Sequence, residues 1–200
     1  MQLEGKDLSF RYKKEDYIFK DINITISSGE RVALVAKSGY GKSTLAKVLA
    51  GYEKPTHGQV LLDSQPILAR GYNPVQLIYQ HPEQAINPRW KMKDVLEESG
   101  PINEELMKAM GIEMDWLERY PIELSGGELQ RFSVCRALSN GTRFLIADEV
   151  STMLDVITQA QIWNVILGQA KKRDLGMLVV THNKHLAKRV CTRIVELEKL

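Results

Sequence analysis

The segment Ala36-Lys37-Ser38-Gly39-Tyr40-Gly41-Lys42-Ser43-Thr44 stands between an apolar run, Arg31 to Val35, and a helical pattern through Leu45 to Ala50 that Gly51 closes. A strand that turns into a helix through glycines constrains a fold severely. The glycines let backbone N–H groups approach a bound oxyanion, and the helix aims its positive end at the same point. Gly39 and Gly41 supply that freedom, Lys42 would reach the β and γ phosphates of a nucleotide, and Ser43 would ligate Mg2+. Ala36 to Thr44 as a whole is the candidate nucleotide cradle. Its first position departs from GxxxxGK[ST], because Ala36 stands where the pattern has glycine and a Cβ disfavours positive φ. The plain alternative is a Gly/Ser turn ahead of a helix, with no ligand.

Leu3 to Phe10 and Ile18 to Ile26 carry near-alternating apolar residues on either side of the polar turn Lys13-Lys14-Glu15-Asp16, which predicts an antiparallel hairpin. Pro55 to Gly58 reads as a turn, Gln59 to Leu62 and Val75 to Tyr79 as strands, and Lys93 to Tyr120 as a polar helical stretch. Phe144 to Ala147 and Leu178 to Thr181 are short apolar strands separated by a helix through Gln159 to Ala170, whose Ile162, Val165, Ile166 and Ala170 fall at helical spacing. Strand, helix, strand in that order implies a parallel sheet with right-handed crossovers. With 200 residues, the chain is expected to form one domain over residues 1–200.

A net charge of +2, from 27 basic and 25 acidic residues, sets up no global field for nucleic acid or an anionic membrane, so no nucleic-acid partner is expected. No apolar run approaches the ~20 residues that span a bilayer. The N-terminal residues also lack the basic-then-apolar pattern of a signal peptide. The expectation is a soluble, cytosolic chain in which Cys135 and Cys191, without metal-ligand spacing, are reduced thiols. His182 and His185 have no acid or cysteine nearby to complete a metal set.

Two further segments carry chemistry. In Leu124-Ser125-Gly126-Gly127-Glu128-Leu129-Gln130-Arg131, the residues Ser125, Gly126 and Gly127 begin a predicted helix and put a hydroxyl and free N–H groups at its positive end. Phe144-Leu145-Ile146-Ala147-Asp148-Glu149 is an apolar strand that ends in two carboxylates. With the glycine loop, these segments resemble the signature, Walker B and Walker A elements of ATP-binding-cassette (ABC) ATPases. The resemblance runs over essentially the whole chain. It implies an α/β P-loop NTPase fold: a parallel-sheet core, an N-terminal antiparallel β subdomain and a small helical subdomain over approximately residues 81–140.

The resemblance also implies an ATP and Mg2+ site. In it, Asp148 lies near the metal, Glu149 polarises the attacking water, Gln80 of the Q-loop senses metal and water, and His182 is the switch histidine at the γ-phosphate. Tyr12 lies where the family stacks an aromatic on adenine, with Phe10 and Tyr17 competing for that place. Ser125, Gly126 and Gly127 would cover the γ-phosphate of a second cassette in a head-to-tail dimer. Asp155, ending the D-loop, would communicate across that dimer. The D-loop itself, Glu149-Val150-Ser151-Thr152-Met153-Leu154-Asp155, departs from the family's EPTSALD.

Tyr79-Gln80-His81-Pro82-Glu83-Gln84-Ala85-Ile86-Asn87-Pro88-Arg89 is similar to the FQDPxxxLNPR stretch of ATPases that serve peptide and nickel importers, and Leu154 to Ile162 to their LDVxxQAQI. A turn at Asn87-Pro88 is the plain reading of the first. The subgroup implies an importer ATPase on the cytoplasmic face of the membrane. Its partners would be a second cassette, identical or paralogous, transmembrane permease subunits and, indirectly, an extracytoplasmic solute-binding protein. The alternatives are a soluble accessory ATPase of an enzyme complex, of the carbon–phosphorus lyase type, and a regulatory nucleotide-binding module. A free-standing P-loop kinase is disfavoured by the LSGGELQR segment.

Overall fold

Alternating apolar residues produce the N-terminal hairpin. Strand β1 (Gln2–Phe10) pairs antiparallel with β2 (Phe19–Ser27), with Leu3 opposite Ile26 and Phe10 opposite Phe19. The computed structural model describes residues 1–13, 16–37, 39–67, 71–150 and 154–197. Lys14 and Glu15 of the hairpin turn, Ser38 of the glycine loop and 151–153 of the D-loop therefore lie outside the described residues.

The chain continues through β3 (Arg31–Val35), α1 (Lys42–Leu49), β4 (His57–Leu62), the short β5 (Gln65–Pro66) and β6 (Val75–Ile78). Then come α2 (Met92–Glu97), α3 (Glu104–Met110), α4 (Gly126–Ala137), β7 (Phe144–Asp148), α5 (Val156–Arg173), β8 (Gly176–Val180), α6 (Lys184–Val190) and β9 (Arg193–Glu196). The antiparallel sheet has the order β2-β1-β4-β5. Gly58, expected in a turn, lies inside β4 at φ 81, where a Cβ would stand 2.3 Å from the Lys6 carbonyl oxygen and 2.4 Å from that of Asp7. Only glycine lets β4 pass β1 at the register shift between Lys6 and Ser9.

The second sheet is parallel throughout, in the order β6-β7-β8-β3-β9. Its central strands β7 and β8 are buried along their whole length, as apolar strands covered on both faces must be. Alternate residues feed two cores. Phe144, Ile146, Leu178 and Val180 join Leu45 and Leu49 of α1 and the β1–β2 hairpin on one face. On the other face, Leu145, Ala147, Met177 and Val179 join Phe132 of α4, Ile162 and Ile166 of α5, and the helices at 92–118.

The polar stretch from Lys93 to Tyr120 is not one helix. Gly100 at φ 118, followed by Pro101, separates α2 from α3, and Gly111 at φ 66 caps the end of α3 before a 3-10 turn at Met114–Glu118. Because β3, β6, β7 and β8 are parallel, their C-terminal ends at Val35, Ile78, Asp148 and Val180 lie along one sheet edge. The four loops that follow them meet there. No helix among the described residues is long and apolar enough to cross a membrane.

Candidate functional site

β3 delivers the glycine loop to this edge and α1 leaves it. Gly39 and Gly41 take φ 86 and φ 83, conformations that side chains rarely adopt. Gly41 is also crowded, since a Cβ there would fall 2.5 Å from Ile18 Cγ2, whereas Gly39 faces open space. Lys42 is 6% exposed, and its Nζ donates to the carbonyl oxygens of Ala36 and Lys37, each at 3.0 Å. Tyr40 is exposed and donates its backbone N–H to the Lys37 carbonyl at 3.4 Å. Ser43 is exposed and Thr44 half-buried in the first turn of α1. Ala36 is not among the described positive-φ residues, so its Cβ brings no backbone strain, and it packs at the margin of the hairpin-side core. The departure from glycine at the first loop position is therefore sterically accommodated.

Asp148 ends β7 at 5% exposure. Burial raises its carboxyl above the ordinary range; a hydrogen bond from Ser43 opposes this, the charge of Glu149 adds to it, and Lys42 and Lys47 oppose it. Its Oδ1 is buried without a hydrogen-bond partner. An orphaned carboxylate oxygen beside a serine hydroxyl is the donor set a hard, oxygen-seeking dication such as Mg2+ takes, so these residues fit the ion. Gln80, half-buried, follows β6 by two positions; since Ile78 pairs with Ala147, it emerges beside the Asp148–Glu149 end of β7.

Glu149 has φ 47, a left-handed conformation that costs a non-glycine residue on the order of 1–3 kcal/mol and that tends to occur at functional positions. Its N–H donates to the Val180 carbonyl at 3.0 Å. Its Oε1 lies 3.1 Å from Nδ1 of His182, which follows β8. The carboxylate and imidazole, 33 positions apart, thus meet at the strand edge. They border a cavity of about 270 Å³ that also takes in Val150, Leu154 and Trp163. His185 instead belongs to the first turn of α6, its N–H donating to the Asn183 side chain.

Ser125 is the N-cap of α4 in a reciprocal capping box: its Oγ accepts from Glu128 N–H at 3.3 Å, and the Glu128 carboxylate accepts from Ser125 N–H at 2.7 Å. The serine O–H proton stays free to donate. Gly126 faces open space, while a Cβ on Gly127 would meet Leu154 Cδ2 at 3.6 Å. This positive helix end is turned outward. Asp155 has a task the sequence reading missed, capping α5 by accepting the N–H groups of Ile157 and Thr158 at 3.0 Å each. A hydrogen bond from the Thr158 side chain, followed by those backbone bonds, holds its carboxyl below the usual range.

The three candidate aromatics separate by surroundings. Phe10 is 4% exposed and Tyr17 lies under Arg11 at 4.9 Å and Lys20 at 4.7 Å, whereas Tyr12 is 40% exposed and rests edge-on against Phe10. Tyr12 is the most exposed of the three. A residue that sequence reasoning passed over, Gln130 of α4, is 2% exposed and donates from Nε2 to the Tyr79 carbonyl at 3.4 Å, tying the outward-facing helix to the start of the Gln80 loop.

The raised carboxyl of Asp148 has a consequence for stability. The folded chain holds this proton to higher pH than the unfolded chain, so between the ordinary aspartate value and the raised one the folded state binds more protons. Stability then falls as pH climbs through that window. In metal-free, nucleotide-free buffer, Asp148→Asn is expected to flatten this fall and melt higher than the parent at neutral pH. Melting curves from pH 4 to pH 8 check it; parallel pH profiles would contradict it.

The profile of the family described as "ABC transporter" matches residues 19–152. A curated relative, the nickel import system ATP-binding protein NikE of Staphylococcus aureus (strain bovine RF122 / ET3-1), is 33% identical over 209 residues, covering 98% of this chain and 86% of that protein. Among solved structures, the ATP binding subunit of an ABC transporter superposes with a TM-score of 0.84 at 25% identity, covering 98% of this chain and 85% of that one. Dimeric MJ0796, a bacterial ABC transporter cassette, gives 0.83 at 25% identity, covering 97% and 93%.

Proposed function

We propose that this chain, which belongs to the ABC transporter family and is one of its ATPases, is the ATP-hydrolysing subunit of an importer for peptides, nickel or related small solutes and metal chelates. The observation that carries the importer reading is the near-full-length likeness to a protein named for nickel import. The chain would work as one of two cassettes on the cytoplasmic face of the membrane. It would be held there by separate permease subunits, with a solute-binding protein delivering cargo on the far side.

Within this reading, Tyr12 stacks on adenine, and Ala36 to Thr44 wrap the phosphates with Lys42 at their β and γ oxygens. Ser43, Asp148 and Gln80 would hold Mg2+, which would supply charge neutralisation for the phosphates. Glu149 orients the attacking water and takes its proton; His182, 3.1 Å away, holds that carboxylate and reaches toward the γ-phosphate. Ser125, Gly126 and Gly127 donate to the nucleotide of the opposite cassette, and Asp155 communicates across the dimer. The left-handed backbone of Glu149 and the orphaned Asp148 oxygen support these assignments.

The test is affinity purification of Glu149→Gln from detergent-solubilised cells in ATP, followed by mass spectrometry. Permease subunits are expected to co-purify. Recovery of the chain alone as a trapped dimer, or with a soluble enzyme complex, would overturn the importer assignment.

A further inference from the structure

Gln161 lies in the Leu154 to Ile162 stretch, and Arg131 closes the LSGGELQR stretch; none of the roles above uses either. They meet in space. Arg131 Nη1 donates to Gln161 Oε1 at 2.9 Å and to the Met110 carbonyl, while Gln161 Nε2 donates to the Ala109 carbonyl at 3.3 Å. Both carbonyls belong to the last turn of α3. Its capping residue, Gly111, leaves the room these side chains need, since a Cβ there would stand 3.0 Å from Arg131 Nη1 and 3.1 Å from Gln161 Nε2. Helices α3, α4 and α5 therefore converge on one guanidinium.

We propose that Gln161 is a positioning residue for the outward-facing end of α4. By holding Arg131, it fixes the rotation of α4 about its own axis, and with it the direction of Ser125, Gly126 and Gly127. The inference rests on the reading above, in which that end receives the nucleotide of a second cassette. Leu129 and Phe132 bury α4 in the core, whose close packing holds the helix in place. Directional bonds add to that packing: Arg136 on the Glu98 carboxylate near the far end of α4 and, nearer Ser125, Gln130 on the Tyr79 carbonyl and the charge-assisted bonds of Arg131.

Arg131 lies six positions beyond Ser125, about 9 Å along the helix. A rotation of roughly 20° moves a Cα on the ~2.3 Å helix radius by about 0.8 Å. Displacements near 1 Å cost on the order of a hundredfold in a reaction that depends on placement. A glutamine suits the position because one amide accepts from Arg131 and donates to Ala109.

The experiment compares Gln161→Met, Gln161→Ala and Gln161→Glu in a Glu149→Gln parent. Each is scored for ATP-driven dimerisation by sedimentation, for nucleotide affinity of the monomer with a fluorescent ATP analogue, and for melting temperature. Gln161→Met keeps the volume in case the alanine variant folds poorly. Gln161→Met is expected to weaken dimerisation about tenfold or more, leaving monomer affinity within about twofold. Gln161→Glu, which still accepts from Arg131, should recover most of the loss. Unchanged dimerisation in Gln161→Met overturns the inference alone. So does a loss of monomer affinity in step with dimerisation, which would make the residue simply structural, or a failure of Gln161→Glu to recover. A parent that does not dimerise in ATP overturns the composite-site reading and this inference with it.

Discussion

Glu149→Gln is expected to bind ATP within about twofold of the parent and to hydrolyse it on the order of 10² to 10⁴ times more slowly, the usual cost of losing a general base. The substitution is nearly isosteric. The main-chain bond to Val180 and the left-handed backbone stay available, and the new amide can still pair with His182. What it cannot do is accept a proton from water. Because ATP then persists, the variant should accumulate as an ATP-bound dimer. Phosphate release measured beside fluorescent-nucleotide binding separates the two effects. Turnover near that of the parent would remove Glu149 from its assigned role.

Lys42→Ala should fail at the earlier step. The ammonium is buried in the loop on two carbonyl oxygens, and a nucleotide would draw it onto phosphate oxygens instead. Hydrogen bonds involving a charged group contribute about 1.5–3 kcal/mol each. Exchanging two carbonyl acceptors for charged phosphate oxygens leaves a net gain of about one such increment, roughly 10- to 10²-fold in ATP affinity. The variant also leaves the Ala36 and Lys37 carbonyls without their donor, so a lower melting point is expected. Lys42→Met, which keeps the aliphatic stem, separates packing from charge. Calorimetric ATP affinity within about threefold of the parent in both variants would show that the lysine does not grip phosphate.

What the sequence disclosed was what local pattern encodes. The strand–glycine–helix order, the apolar run into Asp148 and the helix start at Ser125 each occupy a few consecutive residues, and each took the expected form. Gly100-Pro101 and Gly111 were readable breakers, and heeding them would have divided the helical stretch correctly. Asp155 ahead of an apolar-periodic run was likewise a readable N-cap. The Glu149–His182 contact, the Gln130 bond to Tyr79 and the Arg131–Gln161 junction were not readable, because only the strand order and the helix packing of the finished fold bring them together across 33, 51 and 30 positions. The concern over Ala36 dissolved for a related reason: backbone conformation at one residue depends on the strand before it and the loop after it.

Position 149 faces a conflict of its own. The residue that best suits a left-handed backbone is glycine, which has no carboxylate. In the proposed role, a glutamate there would keep the carboxylate that catalysis needs and leave the fold less stable than it can be. If Glu149 has that role, selection for a hardier protein and selection for turnover would pull this residue in opposite directions. A lineage that no longer needed hydrolysis would be free to relax here first.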